Sequence, residues 1–478
     1  MADKKHTWRT AYHILPPKGW LNDPNGSTYY KGEYHIWFQY SPETPLGGQK
    51  YWGHYTSKDM VHFTYQGISL SPDQPFDKDG VYSGTAWTAS DGSLELYYTG
   101  NVKHPGDFDY INEGRGHNVV RVTSKDGFHF SEKELLLENK DYPEDLSCHV
   151  RDPKIWQEGD IYYMLLGARR RDSVGGLLLM KSEDDRRTWQ IEREFFPDGF
   201  GFMLECPDYF TLGDQNVVAF CPQGVENQEN RLQNIYQSGY VLLGDRSLSG
   251  SSDEELGEAI TLDQFTEWDM GFDFYAPQTF AAADGRQILV GWAGVPDCSY
   301  GNAPSIEEGW QHSMTVLREL EVRDGIIRQN PVRELDLLRG MRRELGSVGM
   351  IPGTCFDLVI ERESQESHQD FCLNLNQDLT LTVRKEGVET VASLTFINNS
   401  GDGRDVRRSL CQEFRNARIL MDHCILEIYL NDGEQVFTTR YYPDQGQVDL
   451  QGGLLFELPA DCSAVMYEMK TGISIPEE

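Results

Sequence analysis

One short phrase returns five times in the first 300 residues: a glycine-bearing turn that opens an aromatic or β-branched run. The copies are "KGEYHIWFQY", "DGSLELYYTG", "EGDIYYMLLGAR", "GDQNVVAFCPQG" and "DGRQILVGWAG", with turn glycines Gly32, Gly92, Gly159, Gly213 and Gly285. Three are followed by a Ser-x-Asp element, "SKDMVHF", "SKDGFHF" and "SEDDRRTW", which reads as a turn into an outer strand. Several strands per unit at such a period imply a solenoid or a propeller. Five units predict an all-β, five-bladed propeller; the competing reading is a large β-sandwich with coincidental turn spacing.

Each unit also has a short polar element upstream of its turn: "NDPNG", "YSGTA", "RDPK", "ECPD" and "YAPQ". Equivalent positions of successive blades surround one axis, so Asp23, Ser83, Asp152, Glu205 and Tyr275 are expected to converge on one central pocket. Singly, each has a plainer reading. Asp-Pro-Asn-Gly reads as a turn, "RDPK" as a surface ion pair, and Glu205 as a buried ion pair. Their common phase favours a site.

From about residue 345 the texture changes. "CFDLVIERE", "LTLTVRKEG", "VASLTFIN" and "ILEIYLNDGEQVFTTRYYP" alternate apolar and polar, as β-sandwich strands do. The expected domains are a propeller over residues 1–335 and a C-terminal β-sandwich over 345–478, bridged by "RDGIIRQNPVRELDLLRGMRRELG". The serine-rich stretch at 246–259 reads as a surface loop with a short helix.

Composition narrows the partners. Lys plus Arg is 43 against 76 Asp plus Glu, a net charge of −33. That repels nucleic acid and anionic membranes, so an anionic ligand would need a local cluster of cations. No run of about 18 apolar residues is present to span a bilayer. The nine cysteines include no CxxC pair, and the first twenty residues lack an apolar run of signal-peptide length; both point to reduced thiols in the cytoplasm. No metal-ligand spacing stands out, and neither a metal nor a cofactor is expected. His13, His54 and His62 read as structural or bystander residues, and Arg169–Arg171 as a solvated run with a possible phosphate role.

Two carboxylates facing one pocket suit glycosidic bond cleavage, one as nucleophile or base and one as acid. A third, Asp152, would hydrogen-bond sugar hydroxyls. Like charges at short range would raise one partner's pKa and keep a carboxyl protonated.

In order and spacing, "GWLNDPNG", "WFQYSP", "YWGHYTSKDMVHF", "YSGTA", "RDPK", "ECPD", "DMGFDFYAPQTF" and "WAG" resemble glycoside hydrolase family 32, the invertase and fructosidase family; "DHCILEIYLNDGEQVFTTRYYP" resembles its C-terminal strand pair. The resemblance covers nearly the whole chain. It implies a retaining, exo-acting β-fructofuranosidase that acts on a small-molecule β-fructoside: sucrose, sucrose 6-phosphate or short fructo-oligosaccharides. Asp23 would be the nucleophile, Glu205 the acid/base, and Asp152 the transition-state stabiliser. Asn22, Gln39, Trp52, Tyr82, Ser83, Arg151, Tyr275 and Trp292 would line the fructosyl site. A fructan exohydrolase or fructosyltransferase shares this chemistry, and a non-catalytic sugar-binding propeller shares the fold. The family also allows a monomer or a homodimer.

Two departures stand out: "SPETPLGGQK", with Leu46 and two glycines where many members have Trp, and Leu317 where proline is usual. The first borders the leaving-group side; the second is expected to have no catalytic effect. "YHILPPKGWLNDPNG" and "YTGNVKHPGDFDY" most resemble the bacterial sucrose-6-phosphate hydrolases and intracellular fructosidases within the family. Lys50, Lys103 and Arg115 are the candidate cations for a phosphate.

Overall fold

Each glycine turn opens a β-hairpin, and each hairpin starts a sheet. The computed structural model describes residues 8–364, 369–443 and 453–476. All five turn glycines have positive φ, a conformation that a side chain disfavours and that tight hairpins require. The first strands of the five sheets are Gly19–Tyr30, Val81–Thr88, Leu146–Glu158, Met203–Leu212 and Tyr275–Ala281. Their hairpin partners are Glu33–Ser41, Leu94–Lys103, Ile161–Arg170, Gln215–Gln223 and Gln287–Ala293. Third and fourth strands follow in antiparallel order in every sheet.

The first strands touch one another in succession, and the fifth touches the first, so they form a closed ring. The fold is thus an all-β propeller joined to a β-sandwich. The Ser-x-Asp elements do lead into outer strands. Asp59 Oδ1, for example, accepts the backbone N–H groups of Val61 and His62 just before the strand Phe63–Leu70.

The five polar elements are not turns. In every sheet the first strand carries a bulge at this point, two residues opposite one on the hairpin partner. The doubled residues are 22–23, 82–83, 152–153, 206–207 and 276–277. The turn reading of Asp-Pro-Asn-Gly is therefore corrected: Pro24 and Asn25 pair with Phe38 and Trp37 within the strand. Proline lacks a ladder donor and is tolerated where a bulge breaks the ladder, which explains Pro153, Pro207 and Pro277; Pro24 directly follows its bulge. In the second sheet Gly84 takes that place, because a Cβ there would lie 1.9 Å from the Tyr97 carbonyl oxygen.

Two six-stranded sheets form the sandwich. Their inward residues, among them Phe356, Leu358, Leu373, Leu381, Ile419 and Phe437, make one core. The expected bridge is mostly regular structure. Ile326–Pro331 closes the fifth sheet, and Arg339–Leu345 is already a strand of the sandwich. Only the turn of 3-10 helix Arg333–Leu338 and Val332 lie between them. The short helix expected within 246–259 is Asp253–Ala259, with Ser252 and Glu255 forming a reciprocal cap.

A buried charge cluster joins the two parts. His13 Nδ1 and Nε2 each lie 2.9 Å from a carboxylate, Asp422 and Glu427 of the sandwich. Arg318 pairs with Glu427 at 2.6 Å and Asp269 at 3.0 Å. Leu317 is buried beside this cluster. Near the C-terminus, Ile473–Ser474 returns to pair with the outer strand of the first sheet. No helix among the described residues is long and apolar enough to cross a membrane.

Candidate active site

The bulges turn the side chains of the ring toward one cavity of about 290 Å³. Bulges locally bend a strand and re-aim its side chains. At the third, fourth and fifth bulges the first extra residue is left-handed, with φ of 63° at Asp152, 48° at Cys206 and 46° at Ala276. Non-glycine residues held there cost of order 1–3 kcal/mol each, so the surrounding sheets must impose them.

Asp23, Asp152 and Glu205 all line the cavity, with Asn22, Gln39, Tyr82, Arg151, Tyr275 and Trp292. Asp23 accepts from Ser83 Oγ at 2.5 Å, Gln39 Nε2 at 3.1 Å and Asn22 Nδ2 at 3.1 Å. Trp20 Nε1 in turn fixes the Asn22 amide oxygen at 2.9 Å. Asp152 Oδ2 accepts the Cys206 N–H at 3.0 Å, and its own N–H donates to Thr99 Oγ1. Glu205 accepts from Arg151 through Oε1, and from Tyr275 OH and Gln223 Nε2 through Oε2, each at 2.7 Å.

Burial raises the pKa of Asp23 from its ordinary value, against the hydrogen bonds from Ser83 and Asn22 that lower it. Burial also pushes Asp152 up to about 7, opposed by Arg151 and reinforced by the charge of Glu205. The expected like-charge repulsion is present, since Glu205 raises both groups, and desolvation is the larger cause.

Two expected lining residues stand behind the wall instead. Trp52 is fully buried and donates Nε1 to the Tyr82 carbonyl at 3.0 Å. Ser83 is buried and reaches the cavity through Asp23 and Gln39. Of the candidate cations, Lys50 and Arg115 line the cavity and Lys103 does not. Lys50 lies over the Trp20 ring and donates to Ser41 Oγ; burial lowers its pKa to about 8. Leu46 is exposed. His54 is buried and stacked on Trp37 and His35, and exposed His62 pairs with Asp59. Arg169, Arg170 and Arg171 bond to Ser173, Asp172 and the Glu144 carbonyl, outside the cavity. Sequence reasoning missed Trp20, His117, His149 and Pro296 in the lining, and Gln223 on Glu205. His149 had a signal: strand alternation puts it on the same face as Arg151.

Residues 13–331 match the description "Glycosyl hydrolases family 32 N-terminal domain", and residues 347–456 match "Glycosyl hydrolases family 32 C terminal". The chain belongs to glycosyl hydrolase family 32. It is a glycoside hydrolase, as its relatives are. A sucrose-6-phosphate hydrolase of Bacillus subtilis is 36% identical over 453 residues, covering 92% of this chain and 90% of the relative. The solved sucrose-6-phosphate hydrolase of Lactobacillus gasseri superposes with a TM-score of 0.82 at 29% identity, covering 97% of this chain and 94% of the other. A family 32 β-fructofuranosidase of Bombyx mori superposes at 0.79 with 28% identity, covering 98% and 95%.

Proposed function

We propose that this family 32 enzyme is a retaining, exo-acting β-fructofuranosidase whose preferred donor is sucrose 6-phosphate. The observation behind this reading is the convergence of three carboxylates with Lys50 and Arg115, besides the Arg151 that is paired with Glu205, on one small cavity. In a chain of net charge −33, cations placed beside acidic residues suit an anionic leaving group. The Bacillus subtilis and Lactobacillus gasseri relatives are sucrose-6-phosphate hydrolases, in agreement with a phosphorylated donor. We read the five sheets as the blades of a five-bladed propeller and the two six-stranded sheets, from Arg339 on, as a separate sandwich domain, with Arg333–Leu338 at the joint.

Asp23 attacks the anomeric carbon of the fructosyl unit as a carboxylate, held in place by Ser83, Gln39 and Asn22. The bond to the leaving oxygen breaks, and its electron pair takes the proton of Glu205. Water then adds to the same carbon and gives its proton to Glu205; the ester to Asp23 breaks and fructose leaves. Asp152 holds fructosyl hydroxyls and stabilises the oxocarbenium-like transition state. A cavity of about 290 Å³ accepts the end of a chain rather than its middle, which favours exo action.

The test is fructose release from sucrose 6-phosphate, sucrose and kestose, with wild type and Asp23→Ala. We expect release from the phosphorylated donor to lead and Asp23→Ala to lose turnover on all three. Equal turnover on free sucrose would overturn the phosphate preference. No release from any β-fructoside would overturn the fructosidase reading.

A further inference from the structure

His149 lies two residues before the Arg151-Asp152 pair and has no part in the steps above. Its two ring nitrogens have unlike neighbours. Nε2 is 3.0 Å from the Tyr110 carbonyl oxygen, and Nδ1 faces Arg151 Nη1. A carbonyl only accepts and a guanidinium only donates. The proton must therefore sit on Nε2, and Nδ1 must offer its lone pair to Arg151. The other end of the same guanidinium donates to Glu205 through Nη2. A chain of contacts thus runs from the Tyr110 carbonyl through a neutral imidazole and Arg151 to the proposed acid/base.

We propose that His149 is a positioning residue that holds Arg151 on Glu205, and that this hold sets how well Glu205 hands its proton to the leaving oxygen. The inference rests on the fructosidase reading given above. The surroundings fix the neutral form. Arg151 on its own strand, Arg115 and His117 on the strand Arg115–Ser124, and Arg169 on the strand Ile161–Arg170 are the ionisable groups that act on the ring. All four are basic. An imidazolium there would lose its acceptor and face cations. Burial, then Arg151 and Arg115, hold the ring's pKa down to about 3.

The asymmetry of the two nitrogens supplies the test. Asn at 149 places an amide oxygen near the position of Nδ1 and can still accept from Arg151, but it is too short for Tyr110. Gln places its amide near the position of Nε2 and can still donate to Tyr110, but it offers Arg151 nothing. The measurement is kcat/KM for His149→Asn and His149→Gln on sucrose 6-phosphate and on an aryl β-fructofuranoside. The aryl leaving group departs without a proton. A small misplacement of a catalytic group can cost about a hundredfold. We therefore expect His149→Gln to lose at least about tenfold on sucrose 6-phosphate and less than about threefold on the aryl fructoside. His149→Asn should stay within about threefold of wild type on both. The ratio between the two substrates does not depend on the fraction of enzyme that folds. Equal losses on both substrates, or a worse loss for Asn than for Gln, would overturn the inference and leave His149 as an anchor for the Tyr110 loop. A wild type that cleaves neither substrate would overturn the fructosidase reading and this inference with it.

Discussion

Replacing His13 with alanine removes a cation from a cluster that the rest of the protein is built to complete. The ring is fully buried, with Asp422 and Glu427 each 2.9 Å away. Neither carboxylate is left bare. Asp422 still accepts the N–H groups of Ala11, Tyr12 and residue 13 at 2.7–3.0 Å. Glu427 keeps Arg318, the Val316 N–H and Tyr429 OH. Two charge-assisted hydrogen bonds at about 1.5–3 kcal/mol each give a loss of roughly 3–6 kcal/mol. Breaking one side of a buried ion pair costs about 3–5 kcal/mol, and the surviving partners argue for the lower part of that range. The loss must also depend on pH. Burial pulls the His13 pKa down, but Asp422 and Glu427 outweigh it and the folded-state pKa is raised. A raised histidine contributes stability below its unfolded pKa of about 6.5 and loses that contribution as pH rises through the folded value. Thermal and urea unfolding of wild type and His13→Ala at pH 6 and pH 9 should therefore show a larger gap at pH 6. An equal gap at both pH values would refute the charge argument and leave only the lost packing.

Ser83→Ala takes the shortest hydrogen bond from Asp23, so the acid limb of the kcat/KM profile should move toward neutral pH and the peak should fall about tenfold; an unmoved limb would show that Ser83 does not support the carboxylate. Lys50→Met should lower kcat/KM on sucrose 6-phosphate about tenfold while sucrose stays within about threefold; a loss shared by both donors would place Lys50 outside phosphate recognition. With Lys50 near 8, the wild-type preference for the phosphorylated donor should weaken above that pH. Asp152, raised to about 7 by burial, favours the fold while protonated and loses that contribution as pH rises through 7. Asp152→Asn should therefore melt higher than wild type at pH 8, with the gap closing toward pH 4, while activity falls; the reverse trend would mean that Asp152 is ionised throughout.

The repeat of glycine turns was readable because a hairpin is local: two adjacent strands and a positive-φ residue are specified within about fifteen residues. The common phase of Asp23, Asp152 and Glu205 was readable for the same reason, since each lies seven to nine residues before its own turn glycine. The bulge was not. Asp-Pro-Asn-Gly has the composition of a turn, and only the pairing of Pro24 with Phe38 and Asn25 with Trp37 keeps it in a strand. Tertiary packing overrides local preference there, because the ring of neighbouring strands holds the chain extended.

Depth in the wall was also undecided by sequence. Trp52 and Tyr82 both sit near the site, but the third strand of the first sheet puts Trp52 behind the Tyr82 carbonyl. Gln223 reaches Glu205 because Gln223 pairs with Met203 across a hairpin, a register that no motif announces. His13 meets Asp422 and Glu427 from more than 400 residues away. Local sequence thus determined the strands, the turns and the phase of three carboxylates. Which side chains face the cavity, which stand behind it and which charges are paired depended on contacts between distant segments, and those exist only once the sheets have closed into a ring and docked on the sandwich.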